Sequence, residues 1–270
     1  MHQVLTGCSI SVSRDIDKLW QRFGSVSRAR IALGRVGDAL PTRRLLDFDH
    51  AHACARDAVL ASVDFAALAA ELEPTKTIHV HSAAHDRSVY LRRPDLGRRL
   101  SAGSAECLSA GSYDAVFVIA DGLSASAVQA HAVPLLRAIY TRLPNWHLGP
   151  VVLAEQARVA LGDEIGSRMA AGMVVMLIGE RPGLTVPNSL GVYITYAPEV
   201  GRRDSERNCI SNVHADGLSY EFAAQKLEWL MSQARTLQLT GVNLKEDAPL
   251  SIASAAEKSL DSGPAKLRSS

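Results

Sequence analysis

Glu180 and Arg181 stand where an apolar run ends. Val174–Ile178 is followed at once by Gly179, Glu180, Arg181, Pro182 and Gly183. A carboxylate accepts hydrogen bonds and a guanidinium donates them from a planar fork, so the pair could hold a polar ligand. The same residues also make a good solvated turn, because Pro and Gly preset its backbone angles. A second concentration is Ser205–Leu218, with Glu206, Arg207, Asn208, Cys209, Ser211, Asn212 and His214. Such a loop either binds a polar ligand or caps the helix after it. Cys209 taken alone is more often a small buried hydrophobe than a nucleophile. Asp121 and Gly122 follow another apolar run, and Arg158, Val159, Asp163 and Glu164 follow a third. For Asp121 the plain alternative is a turn or cap. His79, His81 and His85 lie near one another without a matching thiol or carboxylate, so no metal site is assigned.

Several chemistries lack their motifs. There is no GxSxG elbow, no GxxxxGK[ST] phosphate loop and no GxGxxG opening a helix. No residue stands out as a general acid, base or nucleophile, so no catalytic residue is assigned. The net charge of +1 over 270 residues gives no global field favouring nucleic acid or an anionic membrane. Cys8, Cys54, Cys107 and Cys209 are widely spaced, which fits free thiols in a reducing cytoplasm. No apolar run reaches the roughly 18 residues that a membrane span needs. The LTGC at Leu5–Cys8 lacks the apolar segment a lipoprotein signal requires.

The elements that must position these residues read as α/β. Strand candidates are 76–82, 114–120, 150–156, 173–179 and 190–197, each a short apolar or alternating run. Helix candidates between and after them are 124–143, with Pro134 inside, 163–171, with Asp163 as N-cap, and 217–235. In the last, Ala223, Leu227, Leu230, Met231 and Ala234 make one apolar face. Alternation of this kind predicts a Rossmann-like, mostly parallel sheet flanked by helices, with ligands outside the carboxyl ends of its strands.

Four segments follow along the chain. Residues 1–27 form a flexible extension in which Ile16, Leu19, Trp20 and Phe23 fall at helical spacing. It is either a loose amphipathic helix or a docking or encapsulation peptide. Residues 28–95 form an N-terminal helical segment, rich in Ala and Leu after Pro41. Residues 96–245 form the α/β domain. Residues 246–270 are small, polar and charged, as in disordered tails.

Seven stretches occur in order between Ala29 and Lys245: ARIALGRVGDALPTRRLLDFDHAHACARDAV, YLRRPDLGRRL, VFVIADGLSASAV, QARVALGDEIG, LIGERPGL, YITYAPE and ERNCISNVHADGLSY. Together they closely resemble the small (light) subunit of ethanolamine ammonia-lyase. The resemblance implies an adenosylcobalamin-dependent lyase of large and small subunits that converts ethanolamine to acetaldehyde and ammonia through a deoxyadenosyl radical. It implies a TIM-barrel large subunit that holds substrate, with cobalamin between the two chains. Residues 28–95 would then contact the large subunit and residues 96–245 the cobalamin. By motif, the cobalamin contacts fall on Val159 of QARV, Glu180 of GERPG and Cys209 of RNCI; Asp121, Arg181 and Asn208 are further candidates by position. No DxHxxG is present, so the resemblance implies a base-on cofactor without a histidine on cobalt. Location would be cytoplasmic, or within a bacterial microcompartment if residues 1–27 address one. The alternatives are an assembly subunit without cofactor contacts and a nucleotide-binding oxidoreductase, which the missing glycine fingerprint argues against.

Overall fold

A computed structural model describes residues 19, 20, 22–24, 26, 29–31 and 33–245. Ile16 and the 246–270 tail lie outside the described residues; Leu19, Trp20 and Phe23 are helical and exposed. The strands are β1 (Thr77–His81), β2 (Ala115–Ala120), β3 (Val151–Glu155), β4 (Met173–Gly179), β5 (Leu190–Tyr196) and β6 (Asn208–Val213). The helices are α1 (Thr42–Leu60), α2 (Phe65–Glu71), α3 (Arg87–Arg92), α4 (Ala102–Glu106), α5 (Ala125–Tyr140), α6 (Leu161–Arg168) and α7 (Tyr220–Leu237). None among the described residues is long and apolar enough to cross a membrane.

The strands form one six-stranded sheet in the order β1-β3-β2-β4-β5-β6. The pairs β1–β3, β2–β3 and β2–β4 are parallel, whereas β4–β5 and β5–β6 are antiparallel. This corrects the expectation of a mostly parallel, Rossmann-like sheet to a mixed α/β sheet flanked by helices. A parallel return needs a crossover of a dozen or more residues, usually a helix. The links 180–189 and 197–207 carry no α-helix, so β5 and β6 return antiparallel.

Side chains alternate across the sheet and feed two cores. Phe117, Ile119, Leu153, Val175, Leu177, Val192 and Ile194 pack with α2, α5 and α7 on one face. Val116, Val118, Val152, Ala154, Val174 and Met176 pack with Leu161, Ile165 and Met169 of α6 and its end on the other. The first face is helix-covered as far as β6, through Ile210 and Val213. On the second, α6 and, through Ala105, α4 supply helical cover, and Cys209 of β6 stays exposed beyond α6, with Tyr193 of β5 half-buried. That uncovered strip is where a groove forms.

The expected apolar face of α7 is buried in full. Ser219 caps it by accepting from the Phe222 N–H, and Gln238 ends it in the left-handed region at φ 55°. Ser124 caps α5 in the same way through Ala127, and Pro134 sits inside that helix. Two positions differ from the sequence reading. Asp163 is not the N-cap of α6, which begins at Leu161 with Ala160 before it. The segment Ser205–Leu218, read as a loop, contains β6. Upstream, the Ala- and Leu-rich stretch is two helices, broken at Ala61–Asp64, where Asp64 caps α2 by accepting from Ala67 at 2.9 Å. Of α1 only Ala58 is buried, and Leu45, Leu46 and Phe48 face outward.

Candidate functional site

Two adjoining pockets of about 240 and 340 Å3 share Arg158, Val159 and Tyr193 as walls and together make one groove. It begins at the carboxyl ends of β2 and β4, where Gly122, Ile178, Gly179, Glu180 and Arg181 line it. It then runs over the open face of β5 and β6 to Asp204, Arg207 and Cys209. Val159, Glu180 and Cys209, the three residues carried over by motif, all line it.

The turn after β2 sets the upper end. Gly122 has φ +56°, and a Cβ there would run into the Gly179 carbonyl. That same carbonyl accepts from the Leu123 N–H at 2.9 Å. The two strand ends therefore touch through backbone, and only glycine fits. Asp121 is buried beneath them. Its carboxylate accepts from the backbone N–H groups of Gln156 at 2.9 Å and Ala157 at 3.0 Å, with Arg87 3.5 Å away. Burial pushes its carboxyl above the usual range, against those hydrogen bonds. Asp121 thus staples β2 to the turn that presents Arg158 and Val159, and it takes no place in the groove lining.

Glu180 is held by its neighbours. Ser189 donates its hydroxyl to Oε2 at 2.5 Å, and the Asn212 N–H donates to the same oxygen at 3.3 Å. Oε1 accepts no hydrogen bond among the described residues. Arg181 beside it is exposed at the rim. Tyr193 floors the groove between the two ends. Burial, with Cys209 and Glu180 alongside, pushes its hydroxyl well above the usual phenol range. Desolvation likewise pushes the Cys209 thiol up, so it stands in the groove as a neutral thiol at pH 7.

The far wall depends on an ion pair. Arg207 and Asp163 are each 2% exposed and meet bidentately, Nη1–Oδ1 at 2.5 Å and Nη2–Oδ2 at 2.7 Å. Arg207 also donates to Thr195 Oγ1 and to the Arg202 carbonyl, both at 2.9 Å. The pair ties the first turn of α6, next to Val159, to the residue two before Cys209.

The remaining expected residues turn elsewhere. Asn208 donates to the Leu244 carbonyl at 3.0 Å and accepts from the Gly241 N–H at 2.8 Å, which anchors the end of the described chain. Glu164 accepts from the Leu100 N–H at 2.9 Å and pairs with Arg168. His214 bonds Asn212 within its own turn. His79 lies against the Phe65 ring, and His81 Nδ1 is 2.7 Å from the Ser82 carbonyl oxygen. Among the described residues no three His, Cys, Asp or Glu side chains gather as a metal site. Tyr90 and Tyr193 were not singled out from sequence. Strand alternation puts Tyr193 opposite Val192, but nothing in the sequence says which face lies open.

Chemically, the groove offers the Glu180 and Asp204 carboxylates, guanidinium donors, a neutral thiol and an aromatic floor. No nucleophile in its lining meets a general base.

A family model for the ethanolamine ammonia-lyase light chain matches residues 17–245. The chain is 54% identical over 239 residues to the ethanolamine ammonia-lyase small subunit of Pseudomonas fluorescens (strain Pf0-1), covering 85% of this chain and 87% of that one. It is 51% identical over 249 residues to the protein of the same name from Ralstonia nicotianae, covering 88% and 92%. In Pseudomonas aeruginosa (strain UCBPP-PA14) the small subunit is 52% identical over 239 residues, covering 85% and 88%. A family match over most of the chain and identity above one half leave one conclusion: this chain belongs to the ethanolamine ammonia-lyase small-subunit (light-chain) family.

Proposed function

We propose that this chain is the small subunit of an adenosylcobalamin-dependent ethanolamine ammonia-lyase and that its groove holds one side of a base-on cobalamin against a large catalytic subunit. The observation that carries the proposal is that Val159, Glu180 and Cys209 line one groove around Tyr193. The residues fit the group. Pockets of about 240 and 340 Å3 are too small to enclose a corrin, which leaves one side of it to the large subunit. Val159 and the Tyr193 ring offer apolar contact, and Glu180 Oε1 offers an acceptor for a peripheral amide N–H. Cys209 is small and neutral, and it allows close approach.

When bound, the cobalamin supplies the radical chemistry that converts ethanolamine to acetaldehyde and ammonia. This chain's own contribution is to bind, orient and shield. Ser189 holds Glu180 in one rotamer, and the Arg207–Asp163 pair fixes the spacing between Val159 and Cys209. Activity is assigned to the complex with the large subunit. The subunit names of the relatives support a large-subunit partner, and the outward-facing apolar side of α1 supports residues 28–95 as part of that contact.

The test is reconstitution. The chain is combined with the large subunit, adenosylcobalamin and ethanolamine, and acetaldehyde is followed with each component omitted in turn. Activity requiring all four is expected. Glu180→Ala and Cys209→Trp are expected to weaken cobalamin binding to the complex. Unchanged cobalamin affinity in both variants, with the complex intact, would leave a pure assembly subunit.

A further inference from the structure

The groove holds a cation that makes no ion pair among the described residues. Arg158 lines both of its pockets, between Val159 and Tyr193. Its guanidinium carbon lies 4.3 Å from the Tyr90 ring centroid, and Nη2 donates to the Tyr90 carbonyl at 3.4 Å. Among the described residues it has no carboxylate partner, and its Nε is buried without a hydrogen bond. Arg87, at 4.8 Å from the same ring, makes the contrast. It has Asp121 at 3.5 Å and donates to the Val59 and Gly122 carbonyls at 2.7 and 2.8 Å. Both arginines keep one buried N–H without a hydrogen bond, Nη2 in Arg87 and Nε in Arg158; the difference is that Arg87 has a carboxylate beside it and Arg158, on the groove wall, has none among the described residues.

A half-buried guanidinium on a groove wall, with no carboxylate beside it, is unfavourable until an acceptor reaches its remaining Nη N–H groups, the buried Nε being out of reach. The backbone around it is rigid, because the Arg158 N–H donates to the Gly97 carbonyl at 2.8 Å and Asp121 holds the two residues before it. Stacking on Tyr90 fixes the plane of the fork without using up its N–H groups. We infer that Arg158 is a further cofactor-binding residue, whose guanidinium donates to an acceptor oxygen of the cobalamin, either the phosphodiester of the nucleotide loop or a carboxamide carbonyl of the corrin rim. This inference rests on the groove being the cobalamin site.

The experiment is a spectroscopic titration of the large–small complex, with no turnover. Wild type, Arg158→Met and Glu180→Ala are titrated with hydroxocobalamin and, in parallel, with cobinamide, which lacks the nucleotide loop and its phosphodiester. Arg158→Met keeps an apolar stem over Tyr90 and removes the donors. It is expected to raise the cobalamin Kd about tenfold or more, as a charge-assisted hydrogen bond implies. If cobinamide binding is unaffected, the acceptor is the phosphodiester; if it weakens equally, the acceptor is a carboxamide. An unchanged cobalamin Kd in Arg158→Met overturns the inference. If Glu180→Ala weakens binding in that case, Arg158 alone is excluded; if it too has no effect, the groove is not the cofactor site. Should the Met variant fail to assemble, Arg158→Gln, without charge but still polar, is read against the same outcomes.

Discussion

Replacing Asp163 by alanine strips the carboxylate from a guanidinium that is 2% exposed, so solvent cannot take its place. Breaking a buried pair from one side costs about 3–5 kcal/mol, because the other charge stays buried and unpaired. Arg207 would keep Thr195 Oγ1 and the Arg202 carbonyl at 2.9 Å, and Asp204 at 3.5 Å from Nε. Asp204 is 86% exposed and therefore well screened. Those residual partners put the loss near the lower end, about 3 kcal/mol. For a domain of this size that lowers Tm by roughly 6–12 °C. The assay is thermal and urea unfolding of the full chain, with cobalamin titration of the complex in parallel. The double variant Asp163→Leu/Arg207→Met removes both charges and should recover to within about 1–2 kcal/mol of wild type, as buried pairs replaced by apolar residues commonly do. An Asp163→Ala cost below about 1 kcal/mol, or a double variant no better than the single, would refute the reasoning.

Three further outcomes are expected. Gly122→Ala forces a Cβ toward the Gly179 carbonyl at a φ of +56°; a loss of about 1–3 kcal/mol in unfolding free energy is expected. Ser189→Ala removes the 2.5 Å hydrogen bond to Glu180; cobalamin affinity of the complex should fall several-fold while the urea midpoint shifts by less than about 1 kcal/mol equivalent. Asp114 carries a pH dependence. Partial burial pushes its carboxyl up, but the His147 N–H and the Arg235 guanidinium outweigh this and hold it below 3.8. A depressed folded-state value means that the stabilisation is present above the unfolded value and is lost as pH falls through the folded one. The stability advantage of wild type over Asp114→Asn should therefore be full at pH 6 and shrink below about pH 4 in acid-unfolding curves.

The sequence made β1 to β5 legible because their apolar content is concentrated in short runs, and β2 and β4 are buried at every position. β6 was illegible because it is an edge strand: only Ile210 and Val213 of its six residues are buried, so Asn208, Ser211 and Asn212 read as loop. Strand direction was misjudged beyond β4, since an apolar run looks the same in either sense. Asp163 looked like a cap because an aspartate at a helix start usually is one; its partner lies 44 residues away. Val159, Glu180 and Cys209 came from motif resemblance. What brings them to one groove, the end of helical cover beyond α6, is a tertiary fact that no local pattern carries.

The changeover from parallel to antiparallel pairing also divides the molecule by how far apart in sequence its contacts lie. β4, β5 and β6 form a meander within 173–213, whereas β1 and β2 each reach across tens of residues to meet β3 or β4. Short-range pairings close with less loss of chain entropy and form earlier in folding. Glu180 and Cys209 both ride on the meander, and Val159 rides on the parallel half. The floor of the groove is therefore expected to form before its opposite wall, with the docking of α6 through Asp163 and Arg207 setting the groove's width, an order that pulse-labelled hydrogen exchange during refolding would check.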